Sequence, residues 1–420
     1  MSEQLAINGG PKAVPDGTMQ PWPPIDDVDR EMVLAALQGE KHAVGPNCEA
    51  FQKEFAEWNG NRFGFTTNSG TSALHMGVAA CGCGIGDEVI VPAYSWAASA
   101  TAIIHNQAIP VFVDIDFDTM NIDVNRIESA ITPKTKAILV VHLHGLSVEM
   151  DTVMDVAGRH GLDVIEDGCQ GHAATYKGKR TGTWGSCAAF SCNHNKLLCG
   201  GTGGVFVTDD EELLKRAMAV GSFGETRDPV DDPDYHAYAK GWMYYNNELS
   251  AAFARAQLTK LDGYLERIRE NAAVFAEGLN GVPHIILPTV PEGCEHNWYN
   301  YTLRFDMEAL GHADAPRAFR DKIVAALNAE GVPFGVWQQF ILPDMTVFRA
   351  QNAFGKGYPW GSPHSAPVDY ARECFPVAQR HCEIHACLVM ALRPPHGPEV
   401  AELVARGIRK VMENIDQLAE

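Results

Sequence analysis

Four short β-branched runs, residues 88–91 (EVIV), 111–114 (VFVD), 137–142 (AILVVH) and 163–167 (DVIED), recur at about the spacing of a strand–helix–strand unit. That rhythm predicts a parallel sheet, and the helix-compatible segments between the runs predict helices covering it. Two further runs, 187–191 (CAAFS) and 205–208 (VFVT), extend the sheet. We expect an α/β fold in three parts: an N-terminal arm over residues 1–25, a large α/β domain over 26–263 and a smaller C-terminal α+β domain over 264–420. Phe51, Phe55 and Trp58 follow helical spacing and form an aromatic core face. A long helix is expected from Glu248, with Leu249, Phe253, Leu258, Leu261, Leu265 and Ile268 as its apolar stripe. Gly263 interrupts that stripe and marks the domain junction. A strand near 299–305, a helix over 315–329 and a last amphipathic helix through Val400, Val404, Ile408, Val411 and Ile415 make up the small domain.

A chain of 420 residues, 46% hydrophobic and 20% charged, exceeds what one core organises, which fits this division. Its net charge of −20 disfavours nucleic acid and anionic membrane as partners, since no basic patch offsets it. Residues 1–22 lack the basic end and apolar run of a signal peptide, and no stretch is long and apolar enough for a membrane span. Eleven cysteines, an odd number, suit a reducing compartment. The expected location is therefore the cytoplasm. No metal site is expected: Cys81 and Cys83 are too close for a CxxC pair, and His142 and His144 alternate along a strand. The acidic stretch 228–234 reads as a solvated loop.

In an open parallel sheet ligands bind at the carboxyl ends of the strands, and four features fall there. Asn68-Ser69-Gly70-Thr71-Ser72 precedes a helical stretch and offers hydroxyls and backbone N–H groups at a helix start, which suits a phosphate; an ordinary N-cap reads the same way. Trp96 follows a strand and could offer its face to a ring, or simply pack in the core. Asp167 ends the run 163–167, where a buried carboxylate needs a cation or donors, or serves as a helix cap. Lys196 lies between the strand ending at Ser191 and the glycine-rich 200–204. A desolvated lysine can attack a carbonyl to form a Schiff base, whereas a solvated one only carries charge. Taken together in chain order, phosphate clamp, stacking ring, carboxylate and imine lysine are what pyridoxal 5′-phosphate requires.

These residues lie within longer stretches: 5–14 (LAINGGPKAV), 67–74 (TNSGTSAL), 86–96 (GDEVIVPAYSW), 141–145 (VHLHG), 165–172 (IEDGCQGH), 190–204 (FSCNHNKLLCGGTGG) and 374–379 (CFPVAQ). Through them the chain resembles the DegT/StrS-type aminotransferases of fold type I, which aminate keto-sugars and keto-cyclitols. The resemblance implies that Lys196 carries the pyridoxal phosphate Schiff base and moves the proton between substrate and cofactor. It implies that Asp167 pairs with the ring nitrogen, Gln170 bonds near the ring hydroxyl and Trp96 stacks on the ring. Gly70, Thr71, Ser72 and Ser191 would hold the phosphate. It further implies a homodimer and ping-pong transfer from glutamate or glutamine, with pyridoxamine phosphate between the half-reactions. The acceptor would be a keto-sugar, nucleotide-linked in most of the family, or a free keto-cyclitol of the kind made for antibiotics.

A related branch that dehydrates sugars carries histidine in place of the lysine. A pyridoxal-phosphate lyase or dehydratase and a non-catalytic cofactor-bound regulator are the competing readings. Thr202, Met243 and Tyr245 depart from the family's usual glutamate, asparagine and arginine. Met243 cannot replace a donor amide on the partner subunit's phosphate. His296, Trp298 and Tyr299 are candidates for the acceptor pocket, or for a packed strand.

Overall fold

A computed structural model describes residues 3–226 and 235–418; the acidic stretch 228–234 lies outside them. In chain order the strands of the large sheet are β1 (Phe63–Thr67), β2 (Glu88–Pro92), β3 (Ile109–Val113), β4 (Thr135–Val141) and β5 (Asp163–Asp167). After the short β6 (Thr175–Tyr176) and β7 (Lys179–Arg180) come β8 (Cys187–Ser191) and β9 (Gly204–Thr208). The large sheet runs β1-β9-β8-β5-β4-β2-β3. Strands β3, β2, β4, β5 and β8 pair in parallel, and β9 pairs antiparallel with both β8 and β1. The large sheet is thus mixed, with one reversed strand inside a parallel frame.

Neighbouring residues of the strands enter different cores. Val89, Val91, Leu139, Val141, Ile165 and Ala189 pack on one side with the helices Gly70–Ala80 and Ala97–His105. Ile90, Ile138, Val140 and Val164 pack with the helix Met150–His160, and Ala188, Phe190, Val205 and Val207 with Phe51 and Phe55. Burial on both faces explains why these runs are apolar throughout.

The second sheet is antiparallel, with β10 (Ile285–Ile286), β12 (Tyr301–Phe305), β14 (His385–Leu388) and β13 (Phe334–Gly335) in that order. The strand β11 (Cys294–Glu295) instead joins β6 and β7. The helices Pro316–Ala329 and Pro398–Glu413 cover the second sheet. The N-terminal arm belongs to this core, with Leu5 and Val14 buried in it. The Glu330 carboxylate accepts the backbone N–H groups of Ala6 (2.7 Å) and Ala13 (2.9 Å) and the Lys410 ammonium (2.9 Å).

The long helix expected from Glu248 is two helices, Glu248–Leu258 and Leu261–Gly278. The break falls at Thr259 and Lys260, before Gly263, and the Lys260 ammonium there bonds Asp26 (3.0 Å) and Asp29 (2.6 Å). The second helix buries Leu261, Leu265 and Ile268 against the large sheet and Ala272 and Phe275 in the second core. Residues 341–382 return to the large sheet, burying Ile341, Phe348, Trp360 and Phe375 against it.

Candidate active site

At the carboxyl edge of the large sheet a cavity of about 370 Å³ collects Gly70, Thr71, Trp96, Asp167, Ser191 and Lys196. The reversed β9 adds to the same edge, because its first residues lie beside the last residues of β8; Thr202 and Gly203 line the cavity with them. Gly203 has φ +112°, a conformation that favours glycine, and its carbonyl accepts the Cys192 N–H (2.9 Å). Two surface grooves of about 640 Å³, one beside Lys12 and Arg409 and one beside Arg267 and Pro398, contain none of these residues.

Gly70 opens the helix Gly70–Ala80, and Ser69 caps it by accepting the Ser72 N–H (3.1 Å). A Cβ on Gly70 would lie 2.8 Å from both Ser191 Cβ and Cys169 Sγ, so only glycine lets the helix start sit this close to the end of β8. First-turn N–H groups lack partners within their own helix and carry its positive end, which makes this wall suited to an anion.

Asp167 is 4% exposed. Its Oδ2 accepts from the Ser99 hydroxyl (2.7 Å) and its Oδ1 from the Cys169 N–H (3.1 Å). Among the described residues it forms no ion pair, so a buried carboxylate faces the cavity with donors but no cation. Burial, with the Asp167 charge beside it, pushes the Cys169 thiol well above the ordinary range. Burial likewise raises Cys192 and Cys199, which leaves neither as a thiolate at neutral pH.

Lys196 is partly buried, and its ammonium donates to the Tyr299 hydroxyl (3.2 Å) and lies 4.7 Å from that ring's centroid. Trp96 is 56% exposed, so it is not a core residue; its ring is 6.2 Å from that of Trp337 across the cavity. A carboxylate without a cation, a helix start fitted against Ser191 and a free amine answer to the ring nitrogen, phosphate and aldehyde of pyridoxal phosphate. The residues present fit that cofactor.

The match to the DegT/DnrJ/EryC1/StrS aminotransferase model spans residues 23–356. The chain belongs to this family. Like the family's characterised members it is a fold-type I, pyridoxal-phosphate-dependent aminotransferase. It is 34% identical to the L-glutamine:2-deoxy-scyllo-inosose aminotransferase of Streptomyces paromomycinus, over 90% of this chain and 91% of that one. It is 31% identical to the L-glutamine:scyllo-inosose aminotransferase of Streptomyces griseus, over 100% of both. The dTDP-3-amino-3,4,6-trideoxy-alpha-D-glucose transaminase of Streptomyces venezuelae is 36% identical over 67% of this chain and 74% of its own. The crystal structure of S. venezuelae DesV in complex with a ketimine intermediate superposes with a TM-score of 0.79 at 30% identity, covering 94% of this chain and 99% of that one. These relatives favour amino transfer over the dehydration and regulatory readings.

Two of the expected family contacts do not line the cavity. The Ser72 hydroxyl bonds to Asn68 Oδ1 (2.5 Å) and Ser69 Oγ (2.9 Å), and Gln170 Oε1 accepts the His144 N–H (2.8 Å). His296 and Trp298 stack on each other at 4.0 Å and stay out of the cavity, whereas Tyr299 enters it. Of the departures, Thr202 lines the cavity and donates to the Asn68 carbonyl (3.3 Å), Met243 is 57% exposed, and Tyr245 packs edge-on against Phe223. His142 pairs with buried Glu166 (2.9 Å), a structural contact. Trp337, Asn297 and Arg393 carry no motif, and sequence reasoning passed over all three.

Proposed function

We propose that this aminotransferase moves an amino group from L-glutamine or L-glutamate to the ketone of a free keto-cyclitol, as one step toward an aminocyclitol of the kind built into antibiotics. The convergence of Lys196, Asp167 and the Gly70–Thr71 helix start on one cavity carries the reading. Two sequence relatives that align over at least nine-tenths of both chains, those of S. paromomycinus and S. griseus, are named for L-glutamine and an inosose, which supports the cyclitol over a nucleotide-linked sugar. So does the cavity lining, in which Lys196 is the one lysine or arginine among the described residues, because a diphosphate needs cations. We further propose that the protein acts in the cytoplasm as a homodimer. Its eleven cysteines, all free, support a reducing compartment.

When bound, the cofactor supplies an aldehyde carbon that accepts amines and a ring that delocalises the electron pair left by proton removal. The chain's own residues do the rest. Asp167, fixed by Ser99 and the Cys169 N–H, would hold a proton on the ring nitrogen. Gly70, Thr71 and Ser191 would orient the phosphate, Trp96 would cover the ring, and Lys196 Nζ would take and return the substrate proton.

The test mixes the purified holoenzyme separately with L-glutamine, L-glutamate and L-alanine while following the cofactor's visible absorption. Keto-inositols and nucleotide-linked keto-sugars are then screened for its return. We expect bleaching by glutamine or glutamate and recovery with a keto-inositol. Lys196→Ala should lose both. Borohydride treatment followed by peptide mapping should label residue 196; a label elsewhere refutes the assignment, and recovery by nucleotide-linked sugars alone refutes the acceptor.

A further inference from the structure

Behind Lys196, three loops are tied together by side chains that the cofactor contacts do not account for. Tyr299 is 3% exposed and comes just before β12. The residue before it, Trp298, takes φ +55°, a left-handed conformation that a tryptophan adopts only where the surroundings impose it. Asn297, fully buried, accepts the Tyr299 N–H through Oδ1 (2.8 Å) and donates through Nδ2 to the carbonyls of Gln170 (2.7 Å) and His172 (2.9 Å). It thereby fixes Tyr299 to the loop that follows Asp167.

Arg393, 2% exposed, does the same toward the lysine loop. Its guanidinium donates to the carbonyls of Asn195 (2.7 Å) and Tyr299 (2.8 Å). It lies between two aromatic faces, 5.1 Å from the Tyr299 ring and 5.2 Å from the Trp22 ring. Trp22 in turn donates its indole N–H to the Lys196 carbonyl (3.0 Å). No carboxylate pairs with Arg393 among the described residues. Burial lowers its pKa to about 10, yet it remains charged at neutral pH. A buried cation held only by carbonyls and π faces is expensive unless it fixes something. What it fixes is the distance between residue 195 and residue 299.

We propose that Tyr299 is a catalytic residue that receives the Lys196 amine whenever the amine is free of the cofactor, and that Arg393 and Asn297 are the positioning residues that hold the phenol there. The inference rests on the aminotransferase reading of Lys196. The Lys196 ammonium donates to the phenol oxygen, which leaves the phenol's own O–H available within the cavity. A long flexible lysine that would otherwise sample several rotamers is thus kept in one place between its two uses. The charged and titratable groups around the pair are Arg393 behind the ring, Asp167 and Cys169 across the cavity, His194 on the lysine's own loop, and His172, which burial holds at about 3 and therefore neutral.

Tyr299→Phe removes one oxygen and leaves the ring for Arg393 to stack on. In the holoenzyme we expect kcat to fall about tenfold or more in both half-reactions while the donor KM stays within about threefold. We also expect the acidic limb of the kcat–pH profile, which reads the Lys196 amine while it is free of the cofactor, to move by about half a unit or more. Arg393→Lys keeps the charge but not the two-carbonyl bridge, and should move the same limb with a smaller loss of kcat. Wild-type rate and pH profile in Tyr299→Phe overturn the proposal. A slower enzyme with an unmoved acidic limb also overturns it, because that is the signature of a packing defect. Failure of the underlying reading would appear in the wild type itself, as absence of the borohydride label on residue 196.

Discussion

Replacing Gly70 by alanine adds one methyl group where the helix start meets the end of β8. That carbon would stand 2.8 Å from Ser191 Cβ and from Cys169 Sγ, and 3.2 Å from Ser191 Cα. Carbon atoms rest at about 3.5–4.0 Å, so the helix start must retreat by about 1 Å or the strand must give. β8 is buried along its whole length, which leaves the helix to move. Overpacking of this kind costs about 1–3 kcal/mol, partly offset by at most about 1 kcal/mol of alanine's helix preference. The same retreat carries the first-turn N–H groups away from the phosphate. Losing about 1.5–3 kcal/mol of charge-assisted hydrogen bonding weakens cofactor binding about ten- to hundredfold. Gly158 in the helix Met150–His160 is the matched control, since nothing lies within 4 Å of a Cβ there; its alanine variant should gain up to about 1 kcal/mol. Urea unfolding of the cofactor-free protein and equilibrium dialysis against pyridoxal phosphate read the two effects. A Gly70→Ala protein that is no less stable and binds the cofactor within threefold of wild type would refute the steric argument.

Glu330→Ala leaves the Lys410 ammonium buried with only the Pro11 carbonyl and strips the acceptor from the Ala6 and Ala13 N–H groups. A loss of about 3–5 kcal/mol in denaturant unfolding is expected, together with faster proteolysis of the arm. Glu166 supplies the pH dependence. Burial alone would raise its pKa, but the His142 imidazole and the N–H groups of Gly185 and Gly182 outweigh it and hold the carboxylate below its ordinary 4.5. The stabilisation is fully present above about pH 4.5 and fades as acid titrates the folded protein below that. Glu166→Gln should therefore flatten the acid limb of a stability–pH curve measured by urea unfolding, and an unchanged limb would disprove this source.

Much of the large sheet was legible because strands buried on both faces must be apolar throughout, and residues 163–167 and 187–191 match the observed strands at both ends. Phe63–Thr67 escaped notice: Gly64 interrupts its pattern, and that glycine is there because a Cβ would meet the Gln52 carbonyl at 2.5 Å. The reversal of β9 was equally hidden, since a strand's sequence does not state its direction. Asp167 stood out as a carboxylate closing an apolar strand, Gly70 as a glycine among hydroxyls at a helix start and Lys196 as an amine beside a glycine-rich run. Arg393 and Asn297 did not, because each acts through backbone carbonyls or amides that any residue could provide.

The helix Leu261–Gly278 is a single rod set into two separate interiors, with Leu265 anchored in one and Phe275 in the other. Ten residues of α-helix span about 15 Å, too short and too stiff to act as a joint. Loosening either interior removes lateral support from the half of the rod seated in the other. The two sheets, although built from different stretches of chain, are therefore coupled in their melting.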